Sequence, residues 1–337
     1  MIKDSWKVLI PDRLNVVPDL EQNIFGPETN IVVAEKTKEE EILPYVSDVD
    51  AILAWHDIVL TSKSISQMKQ CKVIVRIGAG FDNVDIEYAG KNGIIVCNVP
   101  DYGTNDVADH SIALLLCLYR SIIGYNEKIK IGGDCWSWDI ASPKRLTNKT
   151  LGIIGFGRIG IAVAIRAKSF GLKVIFYDPY NKRGIEKSLC VQRVEKLEDL
   201  LRESDIISFH CPLTNETENM ADSNFFNYVK DQCVIINTAR GRIIDFQALY
   251  DALKKGIVSA IGLDVLPEEP PNKKNPLISA WMNNEKWLSD RIIITPHSAF
   301  FSNDSFNEMR LKAAQEAKRV LKGDHPQNCV NKLYLSK

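Results

Sequence analysis

The chain has almost no net charge: 42 Lys and Arg against 43 Asp and Glu over 337 residues leave a formal charge of -1. Both signs are spread along the sequence, so no polyanion is attracted, and neither a nucleic acid nor an anionic membrane surface is expected as a partner. Long apolar runs are absent too. The longest uncharged apolar stretch, Ile112 to Tyr119, falls far short of the about 20 residues that cross a bilayer, and Met1 to Trp6 has no signal-peptide layout. A cytoplasmic protein is expected. Eight cysteines (Cys71, Cys97, Cys117, Cys135, Cys190, Cys211, Cys233 and Cys329) lie far apart, with no C-x-x-C pair and no Cys/His cluster. That spacing speaks against a metal site and for reduced, mostly buried thiols. Internal repeats and low-complexity tracts are missing as well.

What the chain does have is a succession of short β-branched apolar runs separated by amphipathic stretches, the pattern of βαβ units around parallel sheets. The strands expected are Lys7–Ile10, Asn30–Val33, Ala51–Ala54, Val73–Ile77, Ile94–Cys97, Thr150–Ile154, Lys173–Tyr177, Ile206–His210, Val234–Asn237, Ala260–Asp264 and Ile292–Thr295. They fall into two groups, so the fold class is α/β with two doubly wound parallel-sheet domains. A long helix follows the first group; Asn105 or Asp106 can cap it, and Val107, Ile112, Leu115, Leu116, Tyr119 and Ile123 form its apolar face. Gly132 to Trp138 reads as an aromatic-bearing arm suited to a subunit contact, hence a homodimer. Lys36 to Glu41 reads as a solvated helix face. The last amphipathic helix, Asp304 to Leu321, has nothing of its own to pack on and is expected to return to the first domain.

The strongest motif is Gly155-Phe156-Gly157-Arg158-Ile159-Gly160, between a strand and a helix, with Asp178 closing the next strand. This is a dinucleotide fingerprint in its proper context. Gly155 permits the tight turn, Gly157 lets backbone approach a pyrophosphate, and Gly160 allows close helix–sheet packing. The amides of Arg158 and Ile159 face the diphosphate. Asp178 suits ribose hydroxyls and repels a 2'-phosphate, which favours NAD over NADP, although Lys182 and Arg183 lie near enough to soften that preference.

Three later segments place polar residues at the carboxyl ends of strands: Asn237 to Arg242, Asp264 to Pro270, and Thr295 to Ser298. An Arg, a Glu and a His converging beside a nicotinamide suit hydroxyl oxidation. A guanidinium holds a carboxylate, an imidazole exchanges a hydroxyl proton, and a carboxylate orients that imidazole.

These segments, NTARG, DV-x-P-x-EP and TPH after GxGxxG, resemble the D-isomer-specific 2-hydroxyacid dehydrogenase family over essentially the whole chain. Ile74 to Asp85, Val96 to Pro100, Phe176 to Tyr180 and Asn328 to Lys332 look most similar to its C-terminal binding protein branch, with phosphoglycerate-dehydrogenase-like enzymes as next neighbours. The resemblance implies a flavodoxin-like substrate domain (1–100 plus 299–337) and a Rossmann NAD-binding domain (101–298), with a cleft between them. It implies His297 as general acid/base, Glu269 as its partner and Arg240 as the carboxylate anchor. The amides of Ala79 and Gly80, with Arg76, would bind the substrate carboxylate's other side. Asp264 would hold the nicotinamide amide, and Cys211, Pro212, Thr238 and Ala239 would line the cofactor groove. His56 is a further candidate for facing the substrate, whereas His110, His210 and His325 read as ordinary structural histidines.

The sequence departs from the branch at Phe300, where a tryptophan is expected three residues after the catalytic histidine, so an aromatic wall remains without the indole donor. The arginine that would recognise a phosphate has no counterpart around Ala54 to Asp57, which disfavours phosphoglycerate. The interval from Glu269 to His297 is longer than the resemblance implies; a lid, a subunit contact and a passive loop all fit it. Arg76, in addition to Arg240, suits a malate-like hydroxy diacid. The readings that follow are an NAD-dependent 2-hydroxyacid dehydrogenase, a phosphoglycerate dehydrogenase, or an NAD(H)-sensing scaffold with little turnover.

Overall fold

A computed structural model describes residues 5–14, 16–132 and 136–335. Cys135 and the middle of the expected arm lie outside the described residues. The chain divides into two units, Met1–Gly103 with Phe301–Lys337, and Thr104–Phe300.

The first unit holds five parallel strands, β1 (Lys7–Asp12), β2 (Asn30–Lys36), β3 (Ala51–Ala54), β4 (Val73–Arg76) and β5 (Ile95–Asn98), in the order β2-β1-β3-β4-β5. This is the flavodoxin-like order. Strands β3 and β4 are buried along their whole length, as a sheet covered on both faces requires. The final helix, Asn303–Leu321, does belong here. Ser302 caps it through a reciprocal bond with Ser305. Its Arg310 reaches the helix Asp19–Phe25, where Nε and Nη2 donate to the two carboxylate oxygens of Glu21 at 2.8 and 2.7 Å. Both side chains are buried.

The charge run is more than a solvated face. Partial burial acts to raise the Glu39 carboxyl, but it accepts from the hydroxyls and amides of both Ser64 and Thr61, and these bonds hold it below the ordinary value. At the end of β1, Asp12 is fully buried and accepts from the amides of Trp55, Asp57 and Ile58 at 2.9 to 3.0 Å, which orders the loop carrying His56. Burial outweighs those three bonds and raises the Asp12 carboxyl from 3.8 to about 6. The folded state therefore holds this proton more tightly than the unfolded chain. Its stabilising contribution, roughly 3 kcal/mol, is complete below pH 4 or so and is lost as pH rises through about 6. Asp12→Asn is expected to flatten that part of the stability profile; urea midpoints followed by circular dichroism between pH 4 and 7, roughly, would show it.

The second unit holds β6 (Thr150–Ile154), β7 (Lys173–Tyr177), β8 (Gln192–Arg193), β9 (Ile206–Phe209), β10 (Cys233–Asn237), β11 (Val258–Leu263) and β12 (Ile292–Ile294), all parallel, in the order β12-β11-β10-β9-β6-β7-β8. Counted within the unit, this is the Rossmann order extended by one strand. Both fold assignments from sequence thus stand, with the two-residue β8 unforeseen because it is too short to carry a pattern. One apolar cluster includes Leu115, Tyr119, Phe156 and Phe176, and another includes Phe209, Leu249 and Leu277.

The helix after the first unit begins at Thr104, so Asn105 and Asp106 sit inside its first turn rather than capping it. It stops at Arg120, because Ser121 takes a left-handed conformation (φ 51°), and the next helix, Ile122–Ile131, leaves at 57°. Ile123 consequently faces outward instead of extending the apolar stripe. Among the described residues, no single helix is long and apolar enough to cross a membrane.

The long interval before His297 is no passive loop. It forms the helix Pro276–Met282, capped by Asn275, and buries Leu277, Ile278, Ala280 and Leu288 in the core. Seven described cysteines are free; Cys71, Cys97 and Cys233 are buried, while Cys190 is exposed.

Candidate active site

In the second unit, successive parallel strands deliver their following residues to one sheet edge. After β6 comes Gly155, after β7 Asp178, after β9 Cys211, after β10 Thr238, after β11 Asp264 and after β12 Thr295 and His297. That carboxyl edge is where open α/β sheets bind ligands.

The nucleotide end fits a dinucleotide on structural grounds. Gly155 has φ 89°, and a Cβ there would lie 2.5 Å from the Cys211 amide nitrogen. A Cβ on Gly160 would strike the Gly155 carbonyl, whereas one on Gly157 would meet nothing, leaving space beside the backbone. The helix Arg158–Ser169 starts at Gly157 with no side-chain cap, so its first amides and dipole are offered to an anion. Asp178 is fixed at the end of β7 by the amides of Phe156, Tyr180 and Asn181. Arg193 supports the same turn by donating to the carbonyls of Asp178, Asn181 and Lys182, a role that no motif signals. Arg183 is turned to Glu195 at 3.1 Å. Cys211 is partly buried, and desolvation pushes its thiol up to about 12, leaving it a packing group. Pro212 is exposed and its carbonyl accepts from Thr217; Thr238 is bonded to Ser111 at 2.8 Å.

The chemical end is equally ordered. His297 Nδ1 lies 2.7 Å from Glu269 Oε2, while Glu269 Oε1 accepts from the Leu266 amide at 2.8 Å. Because the carboxylate only accepts, Nδ1 carries the proton and neutral His297 presents Nε2 as a base. Partial burial acts to raise the Glu269 carboxyl, but the bond and charge of His297, the Leu266 amide and the charge of Arg240 together hold it below the ordinary value. Glu269 therefore stays an acceptor, and its competitor Glu268 lines a separate hollow with Pro271, Lys274 and Ile278.

Two residues of the NTARG motif with no assigned role bring Arg240 to this pair. Asn237, fully buried, accepts from the Ala239 amide and donates to the Arg240 carbonyl, closing the loop on itself. Gly241 packs so tightly on the Leu266-Pro267 peptide that a Cβ would overlap it. Gly241→Ala is thus expected to force the Arg240 loop and the Glu269 loop apart, slowing any chemistry that uses both by more than about tenfold. Turnover at wild-type rate in a folded variant would count against this.

His297 itself has φ 51°, a left-handed conformation that costs a non-glycine residue about 1–3 kcal/mol and clusters at functional positions. Asp264 holds it there: the backbone carbonyl accepts the His297 amide at 2.7 Å, and the carboxylate accepts the amides of Ser298 and Ala299, each at 2.9 Å. Phe300 stands edge-on to His297, ring centroids 6.4 Å apart. His210 is partly exposed and bonded to Ser208 at 2.8 Å, with desolvation of its ring taking it down to about 3.

The remaining candidates lie in the first unit. Arg76 is buried, with Nη1 donating to the Ile77 carbonyl and folding over Gly78, where a Cβ would collide with it. Ala79 and Gly80 are partly exposed, the Ala79 carbonyl being tied to Asn98. The His56 side chain is half exposed, 3.4 Å from Asp57.

The family described as D-isomer specific 2-hydroxyacid dehydrogenase, NAD binding domain, matches residues 112–299. A D-3-phosphoglycerate dehydrogenase of Methanocaldococcus jannaschii is 37% identical over 96% of this chain, and C-terminal-binding protein 1 of Caenorhabditis elegans is 36% identical over 89%. The chain spans only 59% and 41% of those two relatives. A solved D-lactate dehydrogenase of Aquifex aeolicus, complexed with NAD and lactic acid, is 30% identical with a TM-score of 0.83, and the match covers 96% of this chain and 99% of that one. Taken with the glycine turn and the Arg, Glu and His at one sheet edge, these matches place the chain in the D-isomer-specific 2-hydroxyacid dehydrogenase family, with NAD as its cofactor.

Proposed function

We propose that the chain is an NAD-dependent D-2-hydroxyacid dehydrogenase interconverting a 2-hydroxy acid and its 2-keto acid. The observation that carries this reading is the His297 to Glu269 bond of 2.7 Å beside Arg240. A scaffold that only senses the nucleotide has no need of an acid/base pair. When bound, NAD supplies the hydride acceptor or donor. Arg240 holds the substrate carboxylate by paired charge-assisted bonds and polarises the neighbouring carbonyl. His297 Nε2 takes the hydroxyl proton during oxidation and returns it to the alkoxide oxygen during reduction, with Glu269 steadying the imidazolium. Gly155, Gly157, Arg158, Ile159 and Gly160 would hold the pyrophosphate, Asp178 the adenosine ribose, and Asp264, Cys211, Pro212, Thr238 and Ala239 the nicotinamide end.

Arg76, Ala79, Gly80, His56 and Phe300 are the proposed substrate contacts, and Arg76 supports a hydroxy diacid such as a malate-like compound. The exposed Ile131, Trp136 and Trp138 support a homodimer, and the free cysteines a cytoplasmic setting. The deciding experiment is NADH oxidation with a panel of 2-keto mono- and diacids, with 3-phosphohydroxypyruvate and NADPH in parallel. Turnover of a keto acid supports the reading, and preference for a diacid that vanishes in Arg76→Ala supports the diacid pocket. Tight NADH binding without turnover on any member would overturn it in favour of a nucleotide-sensing scaffold.

A further inference from the structure

His110, unassigned by any motif, lies on the helix Thr104–Arg120 with its side chain 25% exposed. Its Nε2 is 3.0 Å from Thr295 Oγ1 and 3.6 Å from Asp264 Oδ1. Thr295 Oγ1 donates to Asp264 Oδ1 at 2.6 Å. A hydroxyl has one proton, and here it is committed to the carboxylate, so Thr295 accepts from His110 and the His110 proton sits on Nε2. The chain of donors therefore runs in one direction, from imidazole to hydroxyl to carboxylate. The same Asp264, its side chain 1% exposed, clasps the amides of His297, Ser298 and Ala299.

We propose that His110 is a positioning residue for the reaction: by fixing the Thr295 hydroxyl on Asp264 it locks the clasp that keeps His297 left-handed and turned to Glu269. The inference rests on the dehydrogenase reading for its kinetic consequence, though not for its structural one. Two facts make a remote histidine effective. The carboxylate at the centre of the clasp is buried, so a donor lost from Asp264 is not easily replaced by water. The conformation it enforces is intrinsically unfavourable, so a loosened clasp relaxes away from the working geometry.

The test compares His110→Leu, His110→Gln, Thr295→Val and the pair His110→Leu/Thr295→Val in the full chain. Two readouts are taken: amide hydrogen exchange of peptides covering residues 295–300, and NADH oxidation under single-turnover conditions with a keto acid that the wild type reduces. In His110→Leu, exchange is expected to be about tenfold faster and hydride transfer about tenfold slower, with NADH affinity within about twofold of wild type. Glutamine, whose Nε2 can donate from a similar place, is expected to restore most of both, and the pair to be no worse than Thr295→Val alone. Wild-type exchange in His110→Leu, failure of glutamine to restore it, or multiplying effects in the pair would overturn the proposal. So would a large loss of NADH affinity, which would make His110 a cofactor contact. A wild type that binds NADH but reduces no keto acid would sink the dehydrogenase reading alone, since the exchange comparison would still decide on His110.

Discussion

Replacing His297 with alanine is expected to lower turnover by about a hundredfold to ten-thousandfold while leaving the dissociation constant of NADH within a factor of about two. The separation follows from where the residue sits. His297 follows β12, whereas the pyrophosphate turn follows β6, with β11, β10 and β9 between them. The pair with Glu269 has no task in holding a nucleotide, so its loss removes the proton acceptor and little else. Glu269→Gln should fall between wild type and His297→Ala, because the amide fills the space but has one acceptor oxygen for the two donors His297 Nδ1 and the Leu266 amide, and carries no charge to steady an imidazolium. Stopped-flow hydride transfer alongside fluorescence titration with NADH separates the effects. Equal losses in both measurements would mean that His297 organises the whole edge rather than handling a proton.

The largest stability effect is expected at Arg310. Arg310→Ala leaves Glu21, fully buried, without its bidentate partner, and an uncompensated buried carboxylate costs about 3–5 kcal/mol. For a body of this size that corresponds to a melting temperature lower by roughly 6–20 °C. The double replacement Glu21→Leu/Arg310→Met removes both charges and keeps most of the volume, so it should recover most of the loss. A single variant that melts with the wild type would show that water reaches Glu21 once the guanidinium is gone.

Much of this architecture was legible because it is written in patterns with a period or a fixed spacing. Eleven of the twelve strands among the described residues are apolar runs that a sheet covered by helices favours, with the edge strands β2 and β12 left partly exposed, and the turn from Gly155 to Gly160 needs glycine at two positions for steric reasons that any sequence displays. Arg240, Glu269 and His297 were visible by resemblance and by their place after strands. What escaped were contacts made by single residues between distant segments. Asn237 looks like any strand-ending asparagine, and Gly241 like an ordinary turn glycine, until the Leu266 peptide is seen against it. Ser121 breaks a helix whose apolar pattern continues past it, since a single left-handed residue leaves no periodic trace. His110 looked structural because its partner, Thr295, is a remote residue that only the fold brings beside it.

The first unit is assembled from both ends of the chain, with the second unit inserted between Gly103 and Phe301. On the ribosome this sets an order of events. Glu21 emerges early, but its partner Arg310 lies 289 residues further on, which at about 5–20 residues per second is a wait of roughly 15–60 s. Over that interval the second unit, contiguous in sequence, is made strand by strand and has its whole sheet by Phe300, ten residues before Arg310 is added, while the first remains a five-strand fragment with an unsatisfied carboxylate and without its long covering helix. Chains ending at Phe300 and released from the ribosome should therefore resist protease in the second unit and be cut in the first.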